Sequence, residues 1–246
     1  VQAAGKYSGN LMKRMEHFLA TGNLVSKTGL GLMQSSGLVI MAENINRMRY
    51  MSHFRAVHRG SYFVEMRTTE ARQLLPDAWG FICPVHTPDG SPCGLLNHLT
   101  TDCIASPDIL HKININDVIA ALVEVGMEPI DSNMLSNLEN HFSVMIEGRI
   151  AGFINDKIIK KAERNLRAMK IDDKKIPKNT EIVLVPKKKC GQYPGLFIFL
   201  GSARMMRPVI NLEFKKIEMI GTFEQVYLDI AISKDEIYPD VTTHLE

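Results

Sequence analysis

The chain has 246 residues, of which 45% are hydrophobic and 23% are charged, and its formal net charge is +2. This length allows one large domain or two with a sizeable core, and the nearly neutral charge means that any nucleic-acid role requires local clustering of basic residues. No apolar run approaches the ~18 residues of a membrane span, and the four cysteines are typical of reduced thiols rather than of a disulfide framework.

Neither end of the sequence resembles the end of a complete protein. Residues 1–4 contain no Met and do not begin a secretory signal. Residues 240–246 follow without a closing element. We therefore expect a fragment of a longer polypeptide.

The first predicted element is an amphipathic helix at residues 6–20. Its apolar side chains recur at helical spacing, and the tripeptide Thr21-Gly22-Asn23 predicts its end. We expect the apolar face to pack on a core. The residues of that face are Leu11, Met12, Met15, Phe18 and Leu19.

A loop and a second helix follow. Residues 24–37 are rich in Gly, Ser and Thr, which favours a mobile loop, although a surface connector has the same composition. The segment from Leu38 to Phe54 is predicted to be helical, with four apolar side chains on one side. They are Met41, Ile45, Met48 and Met51.

The end of that helix and the loop after it carry a local excess of positive charge. From Arg47 to Arg59 there are four arginines and two histidines, and no carboxylate occurs from Asn44 to Val64. Such a cluster is suited to bind an anion, and arginine favours bidentate contacts with phosphate. A solvated surface is the alternative that the residues alone leave open.

The stretch 79–98 is the most constrained part of the sequence. Trp79 to Ile82 predicts a short buried strand with Trp79 as its aromatic anchor, and Thr87 to Gly90 has the residues of a type I turn. Proline fixes φ and glycine permits positive φ, so we expect a rigid crossover that holds a neighbouring loop in place. The residues that constrain or release it are Pro84, Pro88, Pro92, Gly90 and Gly94.

These residues resemble a known family. The runs Trp79 to Pro84, Thr87 to Gly90 and Cys93 to Asn97 are similar to the fork region in the second-largest subunit of multisubunit RNA polymerases. Two details most resemble the RNA polymerase I members, because His86 and Asp89 stand where most relatives have Glu. The resemblance also covers four shorter stretches, strongly upstream and more weakly downstream. They are 20–23, 52–60, 148–152 and 201–208.

The resemblance implies an architecture and a function. Residues 1–105 correspond to a helical, loop-rich fork domain, whose two fork loops cover about 24–37 and 55–66. Residues 106–246 correspond to the second external domain. In the family the fork loops line the active-centre cleft, where the first lies near the RNA–DNA hybrid and the second at the downstream edge of the transcription bubble. The implied activity is that of DNA-directed RNA polymerase I, a nucleotidyltransferase that transcribes ribosomal RNA genes in the nucleolus of the nucleus.

The resemblance also implies two sets of functional residues. Those expected to contact nucleic acid are Arg55, His58, Arg59, Ser61, Arg67 and Arg72. Arg67 and Arg72 belong to the segment that faces the active centre, although an ion pair with Glu65 or Glu70 is an alternative for either. Those expected to form the scaffold of the fork are Trp79, Cys83, Pro84, Thr87, Pro88, Asp89, Gly90 and Gly94.

The partners follow from the same resemblance. They are the largest polymerase subunit, other polymerase subunits, the DNA template and the nascent RNA, and the Mg²⁺ ions of nucleotidyl transfer are held by the largest subunit. No cofactor and no membrane contact is expected for the fragment, which alone is expected to be monomeric. The alternative is a free-standing nucleic-acid-binding or scaffold module without a catalytic role.

The second half of the sequence predicts helices and short strands. Asn116 or Asp117 caps a helix that ends at Gly126, and residues 144–154 form a hairpin with Gly148 in its turn. We therefore expect an α+β fold in which this smaller domain has a mainly antiparallel sheet. The further predicted strands are 181–185, 195–200 and, with Pro208 at its first position, 209–212.

A helix that Asn155 or Asp156 can cap has two contrasting faces. A nucleic-acid site and a solvated surface both fit its basic face, and the solvated surface is the simpler interpretation, because lysine stems also shield apolar area. The inner stripe is Ile158, Ile159, Ala162, Leu166 and Met169. The outer face is Lys157, Lys160, Lys161, Arg164, Arg167 and Lys170.

Other chemistry has weaker support. Cys83, His86, Cys93 and His98 carry zinc-binding atoms, but their spacing matches no common zinc site. A Cys83–His86 nucleophile would need the imidazole within hydrogen-bond reach and a third orienting group, and a buried structural Cys is the alternative. No phosphate-cradling glycine motif and no cluster of aspartates for two Mg²⁺ ions is present. The sequence therefore predicts no catalytic residue and no metal site in this fragment.

Overall fold

The computed structural model describes residues 2–24, 34–66, 68–107, 114–130, 140–173, 175–188 and 191–237. Their contacts divide the chain into two compact units, Val1–Thr101 and Asp102–Glu246. Helices and short, mostly antiparallel sheets occur together, which confirms the α+β prediction. The assignment of residues 1–105 and 106–246 to a fork and an external domain stays a prediction. Among the described residues, no helix combines the length and the apolarity of a membrane span.

The first unit begins with helix α1, Gln2–Thr21. The prediction that its apolar face packs on a core is wrong within this chain, since Leu11, Met12 and Leu19 are 59%, 68% and 68% exposed. Among the described side chains of the first unit, only those of Phe81 and Leu95 are apolar and fully buried. The unit therefore has too small a core of its own to cover α1.

Helix α2, Arg47–His53, is shorter than the predicted helix at 38–54. Asn46 has extended backbone dihedrals and its side chain accepts a hydrogen bond from the N–H of Arg49 at 2.8 Å. Such a cap satisfies a first-turn donor and fixes where a helix begins. Upstream, the N–H of Leu38 instead bonds the carbonyl of Gly22 at 3.1 Å, so this part of the predicted helix is extended chain.

Short elements complete the first unit. Strands β1, Ala56–His58, and β2, Leu96–His98, form an antiparallel pair, and helix α3 covers Tyr62–Glu65. The predicted buried strand at 79–82 is wrong apart from one bridge between Ile82 and Leu99. The anchor is also different, because Phe81 is fully buried whereas Trp79 is 48% exposed.

The described residues of the second unit form two sheets. Their strands are β3, Ile104–Ala105, β4, Glu128–Pro129, β5, His141–Ile146, β6, Arg149–Asn155, β7, Glu181–Val185, β8, Gly195–Phe199, β9, Met205–Asn211, and β10, Lys216–Gly221. One sheet has the order β4-β6-β5-β8-β7 with only the β5–β8 pair parallel, and the other has the order β10-β9-β3. Pro208 lies inside β9 rather than at its start. The residues of β9 that pair with β3 are Met205 and Met206, so the missing N–H of Pro208 removes no hydrogen bond between β9 and β3.

Three helices pack with these sheets, α4, Ile115–Glu124, α5, Ile159–Ile171, and α6, Thr222–Gln225. Asn114, not Asn116 or Asp117, caps α4 by accepting the N–H of Asn116 at 3.1 Å. The hairpin prediction is confirmed, with positive φ at Glu147 and Gly148, as a type I′ turn requires. The core formed between helices and sheet includes Val118, Leu122, Val144, Ile154, Leu166, Ile182 and Ile198.

Two basic residues of α5 are buried, which corrects the predicted outer face. Arg167 bonds Glu218 at 2.8 Å and Glu163 at 2.9 Å, and it also bonds Glu224. Lys170 is 1% exposed and lies 2.7 Å from Glu218 and 3.0 Å from Glu224. These carboxylates stabilise charges that would otherwise be costly to bury.

Candidate nucleic-acid interface

The predicted second fork loop is joined directly to the proline-rich stretch. In the β1–β2 pair Ala56 opposes His98. The pairing continues at both ends, because Arg59 N–H bonds the carbonyl of Leu95 at 2.9 Å and Leu99 N–H bonds the carbonyl of Arg55 at 2.9 Å. The stretch 79–98 therefore supports the loop through backbone hydrogen bonds, and we call residues 55–61 and 95–99 the fork hairpin.

Thr87 closes the proline-rich turn. Its hydroxyl donates to the carbonyl of Leu96 at 2.9 Å and accepts the N–H of Gly94 at 2.9 Å. Gly94 has φ +75°, and a Cβ there would lie 2.5 Å from the carbonyl oxygen of Arg72, so this position requires glycine. The turn consequently packs directly on the segment around Arg72. Of the remaining scaffold residues, Pro84, Asp89 and Gly90 are exposed and Cys83 and Pro88 are half-buried.

The side chain of Arg72 stabilises the same turn through two hydrogen bonds. Its Nη1 donates to the carbonyls of Ser91 at 2.6 Å and Cys93 at 2.8 Å. Among the described residues no acid lies within salt-bridge distance of it, so neither Glu65 nor Glu70 is its partner. The structure thus gives Arg72 a positioning contact within the turn.

Arg55 is half-buried and also bonds the backbone. Its Nη2 donates to the carbonyl of Thr100 at 2.5 Å and more weakly to that of Thr101 at 3.4 Å. Arginine supplies several donors in a rigid planar group, which suits it to hold two successive carbonyls. Arg55 therefore orients the base of the hairpin.

Arg59 and His58 are the exposed basic side chains of the hairpin. Arg59 donates to the carbonyl of Ala71 at 2.5 Å, and its guanidinium carbon lies 4.9 Å from the ring centre of Phe63. His58 accepts the N–H of Gly60 at its Nδ1 at 2.8 Å, so the neutral ring carries its proton on Nε2. A guanidinium stacked on an aromatic ring remains able to donate from its other N–H groups.

The two predicted fork loops meet at their bases. Ser61 Oγ donates to the carbonyl of Ser36 at 3.1 Å. A Cβ on Gly60 would lie 2.1 Å from Gln34 Oε1, which shows how closely the two segments approach. Residues 25–33 of the first loop, and Arg67, lie outside the described residues. The described flanks nevertheless bring residues 34–36 against the basic hairpin.

A pair of stacked histidines was not foreseen from the sequence. The rings of His86 and His98 have centroids 3.6 Å apart and are within 13° of parallel. His98 is 3% exposed, and its Nδ1 donates to the carbonyl of Ser52 at 3.1 Å. Burial, followed by the proximity of His86, lowers the pKa of His98 below its ordinary value.

The predicted zinc alternative has no geometric support. In a face-to-face stack the two imidazoles do not direct their nitrogens at one point, as a tetrahedral zinc site requires. Over the described ranges, no group of three or more His, Cys, Asp or Glu side chains is placed to hold a metal ion. Cys83 and Cys93 are free thiols.

Comparisons with known proteins cover both units. Residues 40–104 match the family model described as RNA polymerase Rpb2, domain 3, and residues 151–207 match the model described as RNA polymerase I, Rpa2 specific domain. The chain is 57% identical over 241 residues to DNA-directed RNA polymerase I subunit RPA2 of Drosophila melanogaster, which covers 98% of the chain and 21% of that relative.

Two further relatives agree. DNA-directed RNA polymerase I subunit RPA2 of Homo sapiens is 46% identical over 96% of the chain and 21% of its own length. DNA-directed RNA polymerase I subunit RPA135 of Saccharomyces cerevisiae is 44% identical over 96% of the chain and 20% of its own length. The chain thus spans about a fifth of the length of the curated relatives it matches.

Proposed function

This chain belongs to the family of second-largest subunits of RNA polymerase I, and on that basis we propose that it forms part of the active-centre cleft of the assembled enzyme. The activity is DNA-directed RNA synthesis on ribosomal RNA genes in the nucleus, within the nucleolus. Its Mg²⁺ ions belong to the largest subunit, and the described residues of this chain offer no donor set for one. The chain contributes binding and positioning rather than a catalytic group.

One observation supports this proposal above the others. The two loops expected to contact nucleic acid meet at their bases, through Ser61 and Ser36, beside the exposed side chains of His58 and Arg59. No carboxylate occurs from Asn44 to Val64. Phosphate contacts from basic side chains give affinity without sequence readout, as a polymerase that moves along its template requires.

We propose a division of roles among the basic residues. Arg59 and His58 contact the downstream strands through phosphate groups. Arg55 and Arg72 hold the hairpin and the turn, because each is half-buried and bonds two backbone carbonyls, whereas the exposed Arg59 bonds one. Ser61 joins the two loops. Arg67, outside the described residues, retains the predicted role of facing the active centre.

Exposed apolar side chains support an interface with other subunits on the first unit. Met41, Ile45 and Met48 are 84%, 78% and 81% exposed, and Phe54 at the end of α2 is 64% exposed. Large exposed apolar patches are typical of protein interfaces. We propose that the partners are the largest subunit and other subunits of the enzyme.

Replacing Arg59 by alanine tests the phosphate contact. In the whole polymerase the dependence of log affinity for a bubble template on log salt concentration should become shallower by about 0.9, the value for one lost duplex phosphate contact. Arg59→Lys should recover most of that slope, because the charge remains. Arg149→Ala, which removes an exposed arginine of β6, should leave it unchanged. An unaltered salt slope in Arg59→Ala would contradict the proposed contact.

A further inference from the structure

The stacked histidines connect three segments of the first unit. His98 lies on β2, its ring donates to the carbonyl of Ser52 in the last turn of α2, and its own carbonyl accepts the N–H of Cys83 at 2.9 Å. His86 belongs to the proline-rich turn and covers the other ring. His98 therefore connects three segments, which are the end of α2, strand β2 of the fork hairpin and the proline-rich turn.

The surroundings of the stack disfavour added positive charge. From α2, Arg49 and His53 face His98 and act to lower its pKa, as does His86 from the turn. The carboxylate of Glu43 lies 3.2 Å from Nε of Arg49 and 3.9 Å from Nε2 of His53. This single acid is already engaged by two cationic or potentially cationic groups. Protonation of His98 would therefore bury a positive charge that faces Arg49 with little compensation.

We propose that His86 is a positioning residue that clamps the fork hairpin through its stack on His98, and that the clamp holds when His98 is neutral and loosens when it is protonated. In the neutral state His98 carries its proton on Nδ1, donates it to Ser52 and stacks on His86. The hairpin that bears Arg59 is then fixed to the end of α2. The expected consequence is weaker retention of nucleic acid at acidic pH, and this consequence rests on the proposed function.

The direction of the pH dependence follows from the burial of His98. Its pKa in the folded chain is below the ordinary value of 6.5, so the unfolded chain binds more protons between the two values. The contribution of the clamp is therefore complete above the ordinary pKa and is lost as pH falls through that range. Histidine is the side chain whose charge changes in this window.

Two replacements test the stack. His86→Phe keeps an aromatic ring over His98, and His86→Ala removes the stacked ring. His17→Phe is the matched control, since His17 is an exposed histidine of α1. Amide hydrogen exchange at Cys83 and Leu99 of the whole polymerase, corrected for the intrinsic pH effect, reports opening of the clamp.

Between about pH 8 and about pH 6 the corrected exchange in the wild type and in His17→Phe should rise, by at most about fourfold for one histidine with an ordinary pKa of 6.5. His86→Phe should show the same rise, because His98 and its burial remain, and His86→Ala should exchange fast at both pH values. Exchange in His86→Ala as slow as in the wild type at about pH 8 would overturn the clamp.

Retention of a bubble template, measured on the same enzymes, tests the consequence. Salt resistance should fall on acidification in the wild type and in His86→Phe, and it should be low at both pH values in His86→Ala. If exchange follows the clamp but template retention does not change with pH in any variant, the link to nucleic acid is wrong although the clamp stands. If exchange does not depend on residue 86, the clamp is wrong and the proposed function is untouched.

Discussion

Replacing Lys170 by methionine is expected to destabilise the second unit by about 3–5 kcal/mol, because breaking a buried ion pair from one side leaves an uncompensated charge. Lys170 is 1% exposed and its ammonium bonds Glu218, Glu224 and the carbonyl of Met219. Glu224 is fully buried. Methionine has a similar length but no charge, so the loss would come from electrostatics rather than from a cavity.

Urea unfolding followed by far-ultraviolet circular dichroism measures this loss. The matched control is Lys161→Met, an exposed position of the same helix, which should stay within about 0.5 kcal/mol of the wild type. Adding Glu218→Gln to Lys170→Met should recover part of the stability, because it removes one stranded carboxylate. Equal midpoints for Lys170→Met and Lys161→Met would show that the network contributes nothing.

The same network predicts acid sensitivity. Burial raises the pKa of Glu218, but Lys170 and Arg167 outweigh it and hold this pKa below the ordinary 4.5. A carboxyl with a depressed pKa in the folded state stabilises the fold above its unfolded pKa and loses that contribution as pH falls. The difference between the wild type and Lys170→Met should therefore shrink in acid.

Replacing Phe81 by alanine is expected to destabilise the first unit by about 3–5 kcal/mol, the usual cost of removing a buried phenylalanine. Phe81 and Leu95 are the fully buried apolar side chains in the described part of this unit, so the cavity cannot be filled by a large neighbouring core. The loss of unfolding free energy should be larger than for an alanine replacement of an exposed apolar residue in the same stretch. Val85, which is 81% exposed, provides that comparison.

Trp79 makes this measurement specific, since it is the single tryptophan of the chain and lies in the first unit. Its fluorescence should report unfolding of Phe81→Ala at much lower urea than of the wild type or of Val85→Ala. Comparable midpoints for Phe81→Ala and Val85→Ala would mean that Phe81 is not the anchor of the unit.

The second unit was largely predictable because its sequence patterns reflect contacts made inside the chain. The β5–β6 hairpin and the strands β7 and β8 are found where apolar periodicity and turn residues placed them. The burial of Arg167 and Lys170 was not predictable, because their partners Glu218 and Glu224 lie about fifty residues away in sequence. In the sequence, a basic residue on a helix face gives the same pattern whether it is solvated or paired with an acid far along the chain.

In the first unit, apolar periodicity predicted more packing than the chain provides. Met12, Met48 and Met51 recur as on a buried face, yet they are 68%, 81% and 53% exposed. Such a pattern predicts an apolar face, but it does not show whether that face packs inside the chain. The comparisons agree with a segment of a larger subunit, and nothing in them favours a free-standing module.

The membership of the candidate site stays a prediction, and its geometry was not predictable from the sequence. The resemblance identified Arg55 and Arg72, but their bonds to backbone carbonyls depend on the folded path of the chain. The stack of His86 on His98 was missed because the two residues are 12 positions apart in the sequence and the path of the proline-rich turn brings them together. The available signal was an unusual histidine at position 86, where the resemblance predicts an acid.

A photoreactive aromatic residue at Tyr62 tests the central claim most directly. Tyr62 lies in the predicted second fork loop and is 44% exposed, whereas Tyr193, the matched control in the second unit, is 63% exposed. In the whole polymerase assembled on a transcription bubble, the probe at Tyr62 should crosslink to nucleic acid and the probe at Tyr193 should not. Crosslinks from Tyr62 to protein alone would contradict the placement of this loop against nucleic acid.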